Sequence, residues 1–146
     1  LGNAVKLNGS SIYIEWDAAM NLTGTFTISA WYWYHPNGLN QSICNKFFSD
    51  GITFLSQFDV AVNNLDKLVL GVFDDLDNNI KKTTVGSLRN HECNHIVYKF
   101  NPTGNVVTIK INNVTQSLVD TSFGTFVAIP SETTIPFRMG MRDGAY

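Results

Sequence analysis

Charge is scarce in this sequence, and its Lys and Arg residues form no basic run. The chain of 146 residues has 10 Lys and Arg against 12 Asp and Glu, for a net charge of −2, and charged residues make up 15% of it. Phosphate backbones and anionic membranes are bound by clustered Lys and Arg, so nucleic acid is excluded as the main partner. Long hydrophobic runs are also missing. A membrane-spanning helix needs about 18 or more consecutive apolar residues, so no membrane span is predicted.

Glutamate is rare, and its spacing argues against catalysis. The chain has three Glu, at positions 15, 92 and 132. Retaining glycosidases need two carboxyl groups about 5–5.5 Å apart across one bond, and no Glu pair here has a matching spacing. Glu15 and Asp17 come closest, and a solvated pair at a strand end is the simpler interpretation. A Ser-His-Asp order, a phosphate-binding Gly loop and a CxxC pair are also missing, so we expect no enzyme.

Cysteine is limited to Cys44 and Cys93. A disulfide between them would close a loop of about 50 residues and contribute a few kcal/mol to stability. The alternative is two buried free thiols, which behave as small hydrophobic side chains. Both alternatives stay open, because sequence does not show whether the two Cα atoms approach each other.

Short apolar–polar alternations are abundant and are separated by turn residues. Hydrophobic residues make up 44% of the chain, and many short strands between turn signals are typical of a sandwich or barrel. The predicted strands lie around Val5–Leu7 and Ile12–Ile14, and at Thr25–Tyr34, Ser42–Phe47, Ile52–Gln57, Lys67–Phe73, Ile80–Val85, His95–Phe100, Val106–Ile111, Val114–Val119 and Ile135–Met139. Asn112-Asn113 predicts a tight hairpin turn.

Four segments, in this order, resemble one known family. They are AVKLNGSSIYIEW (residues 4–16), FTISAW (26–31), CNHIVYKFNPTGNVVTIKINNV (93–114) and PFRMGMRDGAY (136–146). The set is similar to the laminin G-like family within the concanavalin A-like lectin and glucanase superfamily. The resemblance implies an all-β fold, a two-sheet antiparallel β-sandwich of the jelly-roll type, formed as a single domain over residues 1–146.

The sequence departs from this family at three points. Cys93 stands where the family usually has Trp, and Asn113 stands where its hairpin usually has Gly. The family's closing strand, which carries an acidic residue, does not follow Tyr146. We therefore expect a sandwich that lacks its final strand and has an open edge. The chain is then part of a larger protein, or of an assembly in which a neighbour completes the edge.

His91-Glu92-Cys93-Asn94-His95 matches H-E-x-x-H, the signature of zinc proteases. That chemistry needs both His on one helical face, with the Glu as base. Here the motif runs into a strand pattern. Strand geometry places His91 and His95 about 13 Å apart, too far to share one zinc ion. The match is therefore interpreted as a motif out of its structural context.

The strand Thr25–Tyr34 contains the aromatic residues most suited to a ligand. One of its faces is polar at the start and aromatic at the end, and it consists of Thr27, Ser29, Trp31 and Trp33. Sugar rings stack on exposed aromatic surfaces, and strand alternation allows one of the two faces to be exposed. The loop after this strand is a further place for ligand contacts. The predicted ligand-binding residues are Trp33, Tyr34, His35 and Asn37.

A second candidate site is the acidic turn between residues 74 and 79. Its predicted metal ligands are Asp74, Asp75, Asp77 and Asn79, whose oxygens suit Ca²⁺. The turn is not an EF-hand, since Ile80 and Gly86 stand where that loop needs Gly and Glu. A solvated hairpin turn is the alternative interpretation.

These observations favour a non-catalytic binding or adhesion module of an extracellular or particle-surface protein. Carbohydrate is the expected ligand, and protein at a surface is the other candidate. Sequons at Asn8, Asn21, Asn40 and Asn113 are compatible with an extracellular setting. One alternative is a structural or fibre domain of a larger assembly such as a virion, in contact with neighbouring chains. A second alternative is a domain related to glycoside hydrolases.

Overall fold

The alternating stretches form strands throughout the part of the chain that the structure describes. This computed structural model describes residues 14–16, 22–49, 54–74, 76, 78–131 and 135–140. Eleven strands and no helix lie within those residues. The strands are β1 (Ile14–Trp16), β2 (Phe26–Trp33), β3 (Gln41–Ser49), β4 (Phe54–Val62), β5 (Leu68–Phe73), β6 (Asn79–Thr84), β7 (Cys93–Asn101), β8 (Val106–Ile111), β9 (Val114–Thr115), β10 (Leu118–Asp120) and β11 (Phe137–Met139).

The strands form two antiparallel sheets, which confirms the predicted all-β, two-sheet architecture. Within the described residues, the large sheet has seven strands in the order β1-β11-β3-β4-β5-β6-β10, and the small sheet has four in the order β2-β7-β8-β9. The predicted jelly-roll subtype stays a prediction. The expected open edge and the single-domain span involve residues outside the described ranges, so they stay predictions as well.

The hydrophobic core lies between the two sheets. Phe26 of the small sheet packs against Phe58 of the large sheet, with ring centroids 5.5 Å apart, and against Phe100, with centroids 5.8 Å apart. Phe126 closes the core from the segment after β10, edge-on to Phe100. Burial of these large aromatic side chains is a main favourable contribution to the stability of the core.

Strand β4 is longer than its predicted span. Its described end continues to Val62, because Phe58, Val60 and Val62 alternate inward and are fully buried. The prediction ended at Gln57, where a register shift interrupts the pairing between β3 and β4 near residues 46–47. A bulge of this kind breaks the period-2 pattern on which the prediction depended.

The predicted strand Val114–Val119 is wrong as a single element. Residues 114–115 pair with β8 in the small sheet, whereas residues 118–120 pair with β6 in the large sheet. The chain therefore crosses from one sheet to the other between these two short strands. The predicted turn before them is confirmed: Asn112 and Asn113 both have positive φ, at 48° and 67°, as a type I′ hairpin turn requires.

Candidate functional site

Two tryptophans project from the outer surface of the small sheet. Trp31 is 72% exposed and Trp33 is 64% exposed. The alternating residues of β2 point inward, and Tyr32 and Tyr34 pack beside one another with ring centroids 6.1 Å apart. Residues i and i+2 of a strand share a face, so the two indoles project from the same side, with their Cα atoms about 7 Å apart along the strand. Among the described residues, β2 is an outer strand of its sheet.

Strand β7 supplies the neighbouring part of this surface. Its register places His95 directly across from Trp31, and Cys93 across from Trp33. The rings of Trp31 and His95 stack at a centroid distance of 4.8 Å with an interplanar angle of 35°. We call Trp31, Trp33 and His95 the aromatic face.

His95 is held in place from two directions. Its Nε2 lies 2.9 Å from the Oγ of Ser29. Ser29 is two residues before Trp31 and lies on the same face of β2. The backbone N–H of His95 donates to Oδ1 of Asn112 at 2.8 Å. A side chain held in this way supports the indole stacked on it, so the aromatic face has a fixed geometry.

The contact between Ser29 and His95 also has the distance of a nucleophile and its base. Such a pair is activated when a third group orients the imidazole. Among the described residues, no carboxylate bonds to the ring of His95; its other neighbour is the indole of Trp31. The described residues therefore supply the Ser29–His95 pair without the third group of a triad.

Tyr34, one of the predicted ligand-binding residues, is buried and does not share the exposed face of Trp33. It is 1% exposed, and its hydroxyl donates to Oδ1 of Asp66 in the turn between β4 and β5. Burial and the neighbouring Asp66 carboxylate raise the pKa of Tyr34 above its usual value. The alternation that exposes Trp33 necessarily turns the next residue inward.

His35 and Asn37 lie in the exposed loop that follows β2. Gln41 anchors this loop, because its Nε2 donates to the carbonyl of His35 at 3.0 Å and to Oδ1 of Asn37 at 3.1 Å. The same Oδ1 accepts the backbone N–H of Leu39. Asn37 thus shapes the loop with its oxygen, and His35 presents its ring at the surface.

The H-E-x-x-H segment lies in a turn and at the start of β7, as its strand pattern predicts, and not on a helix. Its two histidines have different partners. His95 contacts Trp31, whereas Nδ1 of His91 lies 3.1 Å from Nδ1 of His35 on the neighbouring segment.

The acidic turn is organised around Asp74, which is 3% exposed. Its Oδ1 accepts the backbone N–H groups of Leu76 and Asn78, at 2.9 and 3.0 Å. Its Oδ2 accepts the Asn78 side-chain amide at 3.1 Å and the Val127 N–H at 3.2 Å. Burial by itself raises the pKa of Asp74, but these hydrogen bonds outweigh it and lower the pKa below its usual value.

This arrangement favours the hairpin-turn interpretation for Asp74, because both of its oxygens already accept N–H donors. Asn79 pairs through its backbone with Phe123. Asp75 and Asp77, the other two predicted ligands, lie outside the described residues, so a calcium site in this turn stays a prediction.

The structure describes one member of the predicted carboxylate pair Glu15 and Asp17. Glu15 forms an ion pair with the Nε of Arg138 at 2.8 Å, across the β1–β11 ladder, while its predicted companion Asp17 lies outside the described residues.

Cys44 is buried and Cys93 is exposed, and both are free thiols. The disulfide alternative is therefore wrong. Trp31, His91 and His95 were noted in the sequence but were not among the predicted ligand-binding residues, because their contacts depend on the register between β2 and β7.

Within the described residues, no helix is long and apolar enough to cross a membrane. Comparison with protein-family models finds no match, and comparison with curated protein sequences finds no significant similarity.

Proposed function

We propose that this domain is a non-catalytic glycan-binding module of an extracellular or particle-surface protein. The observation that carries the proposal is the pair of tryptophans that project from one face of β2, with Trp31 72% and Trp33 64% exposed. A Trp side chain can bury about 150–250 Å² of mostly apolar surface. Leaving two of them in water is unfavourable unless a partner covers them.

Carbohydrate suits the surroundings of these indoles. The C–H faces of a sugar ring are apolar and stack on aromatic rings, whereas its hydroxyl groups need hydrogen-bond partners. Ser29 and His95 lie beside Trp31 and can supply such partners. His35 lies two residues beyond Trp33 at an exposed position. An apolar platform with a few polar groups at its border is the usual composition of a small-ligand site.

Substitution of each tryptophan tests the proposal. We expect Trp31→Ala and Trp33→Ala each to weaken binding to a glycan identified on an array by about tenfold or more, which corresponds to about 1.4 kcal/mol. Titration calorimetry in the presence and absence of Ca²⁺ gives the affinity. Both side chains are exposed, so the midpoint of urea unfolding should change little.

Phe123→Ala is the matched control, since Phe123 is 68% exposed and pairs with Asn79 through its backbone. This variant should bind the glycan as the parent chain does. Absence of binding to any saccharide, with or without Ca²⁺, would refute the proposal. Sedimentation velocity tests the structural alternative by measuring self-association of the chain. If the chain self-associates and Trp31→Ala and Trp33→Ala abolish this, the surface serves assembly instead of glycan binding.

A further inference from the structure

Two histidines meet where β2 and β7 approach each other at one end of the small sheet. Nδ1 of His35 lies 3.1 Å from Nδ1 of His91, and the two rings are edge to face with centroids 4.6 Å apart. Neutral imidazoles can make this contact only if one Nδ1 carries the proton and the other accepts it. A metal ion can replace that proton and bind both nitrogens at once.

The separation of the nitrogens suits one shared metal ion. An imidazole nitrogen lies about 2.0–2.1 Å from a bound zinc ion. Two such nitrogens are therefore about 3.3 Å apart at a tetrahedral angle, and about 2.9 Å apart at a right angle. The observed 3.1 Å falls between these two geometries.

Backbone contacts fix the two histidines relative to each other. The N–H of His91 donates to the Tyr34 carbonyl at 2.9 Å, and the Tyr34 N–H donates to the Glu92 carbonyl at 3.2 Å. Tyr34 is itself buried, so it joins this junction to the core. The carbonyl of His35 accepts the Gln41 amide. Chelation by two side chains on a rigid frame has a lower entropic cost than binding by two mobile ones.

His91 adopts an uncommon backbone conformation at this junction. Its φ is 57°, in the left-handed region that non-glycine residues usually avoid. Such strain persists where surrounding structure imposes it, and it is often found at functional sites. In this conformation, the ring of His91 lies edge to face with the ring of His35.

The donor set selects the type of ion. Imidazole nitrogen favours Zn²⁺, Cu²⁺ and Ni²⁺, whereas Ca²⁺ requires oxygen ligands. Among the described residues, no third His, Cys, Asp or Glu completes a cluster with the pair. Glu92 is directed to Arg89, 3.5 Å from its guanidinium. A metal ion held by this pair would therefore keep positions for water or for an additional ligand.

We infer that His35 and His91 form a two-histidine site for one divalent transition-metal ion, at the end of β2 where the aromatic face ends. Copper binds such nitrogen sites most tightly among the first-row divalent ions. The metal site shares His35 with the surroundings of the proposed glycan site but uses neither tryptophan, so Cu²⁺ binding can be measured whether or not the aromatic face binds glycans.

Titration with Cu²⁺ tests the site. We expect one Cu²⁺ per chain by calorimetry, and an electron paramagnetic resonance spectrum with hyperfine coupling to two imidazole nitrogens. His35→Gln and His91→Asn should each lower the Cu²⁺ affinity at least tenfold and remove the coupling to one nitrogen. Asn is chosen at position 91 because it tolerates positive φ. Circular dichroism confirms that each variant is folded.

His95→Gln is the matched control, since it removes the remaining histidine and leaves the pair intact. This variant should bind Cu²⁺ with the affinity of the parent chain and retain both nitrogen couplings. The inference is overturned if the parent chain takes up no stoichiometric Cu²⁺. It is equally overturned if His95→Gln weakens binding as much as the two other variants do.

Discussion

Asp74 joins two distant segments through a single buried carboxylate. Its Oδ1 organises the turn that leads into β6, and its Oδ2 accepts the N–H of Val127, 53 residues further along the chain. A carboxylate satisfied by several N–H donors is strongly favoured in its charged form. This residue therefore stabilises the fold, whether or not the turn binds an ion.

Asp74→Asn should lower the free energy of unfolding by about 1–3 kcal/mol at neutral pH, because one amide group cannot accept all four N–H donors. The hydrogen bonds lower the pKa of Asp74 in the folded state. Its contribution to stability is therefore complete above the usual carboxyl range, and it is lost as the pH falls through the folded pKa. Urea unfolding from pH 7 to pH 3 should show the difference from the parent chain shrinking below about pH 4.

Asp120→Asn is the control for this experiment. Asp120 is an exposed residue of β10 that pairs with Lys82 at the surface, where ion pairs contribute little. Asp120→Asn should therefore lower the free energy of unfolding by clearly less than Asp74→Asn does. An Asp74→Asn variant as stable as the parent chain at pH 7 would contradict the assigned role.

At the scale of elements, the β8–β9 hairpin depends on two consecutive asparagines. Asn112 and Asn113 both take positive φ, and Asn tolerates this conformation better than other non-glycine residues. Asn112 also donates its N–H to the His95 carbonyl at 2.7 Å, and its Oδ1 accepts the His95 N–H. The hairpin thus holds the strand that carries part of the aromatic face.

Replacement of Asn113 tests this conformational argument. Asn113→Val should destabilise the fold by about 1–2 kcal/mol, because a β-branched residue is disfavoured at positive φ. Asn113→Gly, the residue that the laminin G-like resemblance favours here, should have little effect or stabilise slightly. Thermal unfolding followed by circular dichroism measures both. Equal stability of the two variants would contradict the turn assignment.

At the scale of the whole molecule, the sandwich assigns its two cysteines to opposite environments. Cys44 of β3 faces the core and is 2% exposed, and burial raises the pKa of its thiol above the usual value. Cys93 of β7 lies on the outer surface, opposite Trp33. The interior between the sheets separates the two thiols.

Alkylation should therefore modify one thiol in the native chain. We expect iodoacetamide to label Cys93 under native conditions, and Cys44 only after unfolding in urea, because a thiol must be accessible to react. Peptide mass spectrometry identifies the labelled residue. Cys93→Ser should remove the native labelling. A disulfide between residues 44 and 93 in the unreduced protein would contradict the structure.

The sequence by itself determined the strands and the faces of several of them. Alternation is a property of consecutive residues, so it predicted β2, the division of its residues between two faces, and a sandwich or barrel. The two-sheet class was implied by the laminin G-like resemblance. The turn at Asn112-Asn113 was predictable for the same reason, since its conformational demand is local. Trp33 was predicted to be a ligand-binding residue from its place before the loop that follows β2, and this stays a prediction.

Only the tertiary structure decided which strands are neighbours. The stacking of Trp31 on His95, the meeting of His35 with His91 and the capping of Asp74 by Val127 all join residues far apart in the chain. The course of residues 114–120 between the sheets was likewise set by pairing with remote strands. Packing of two sheets selects these contacts, and local alternation carries no information about them.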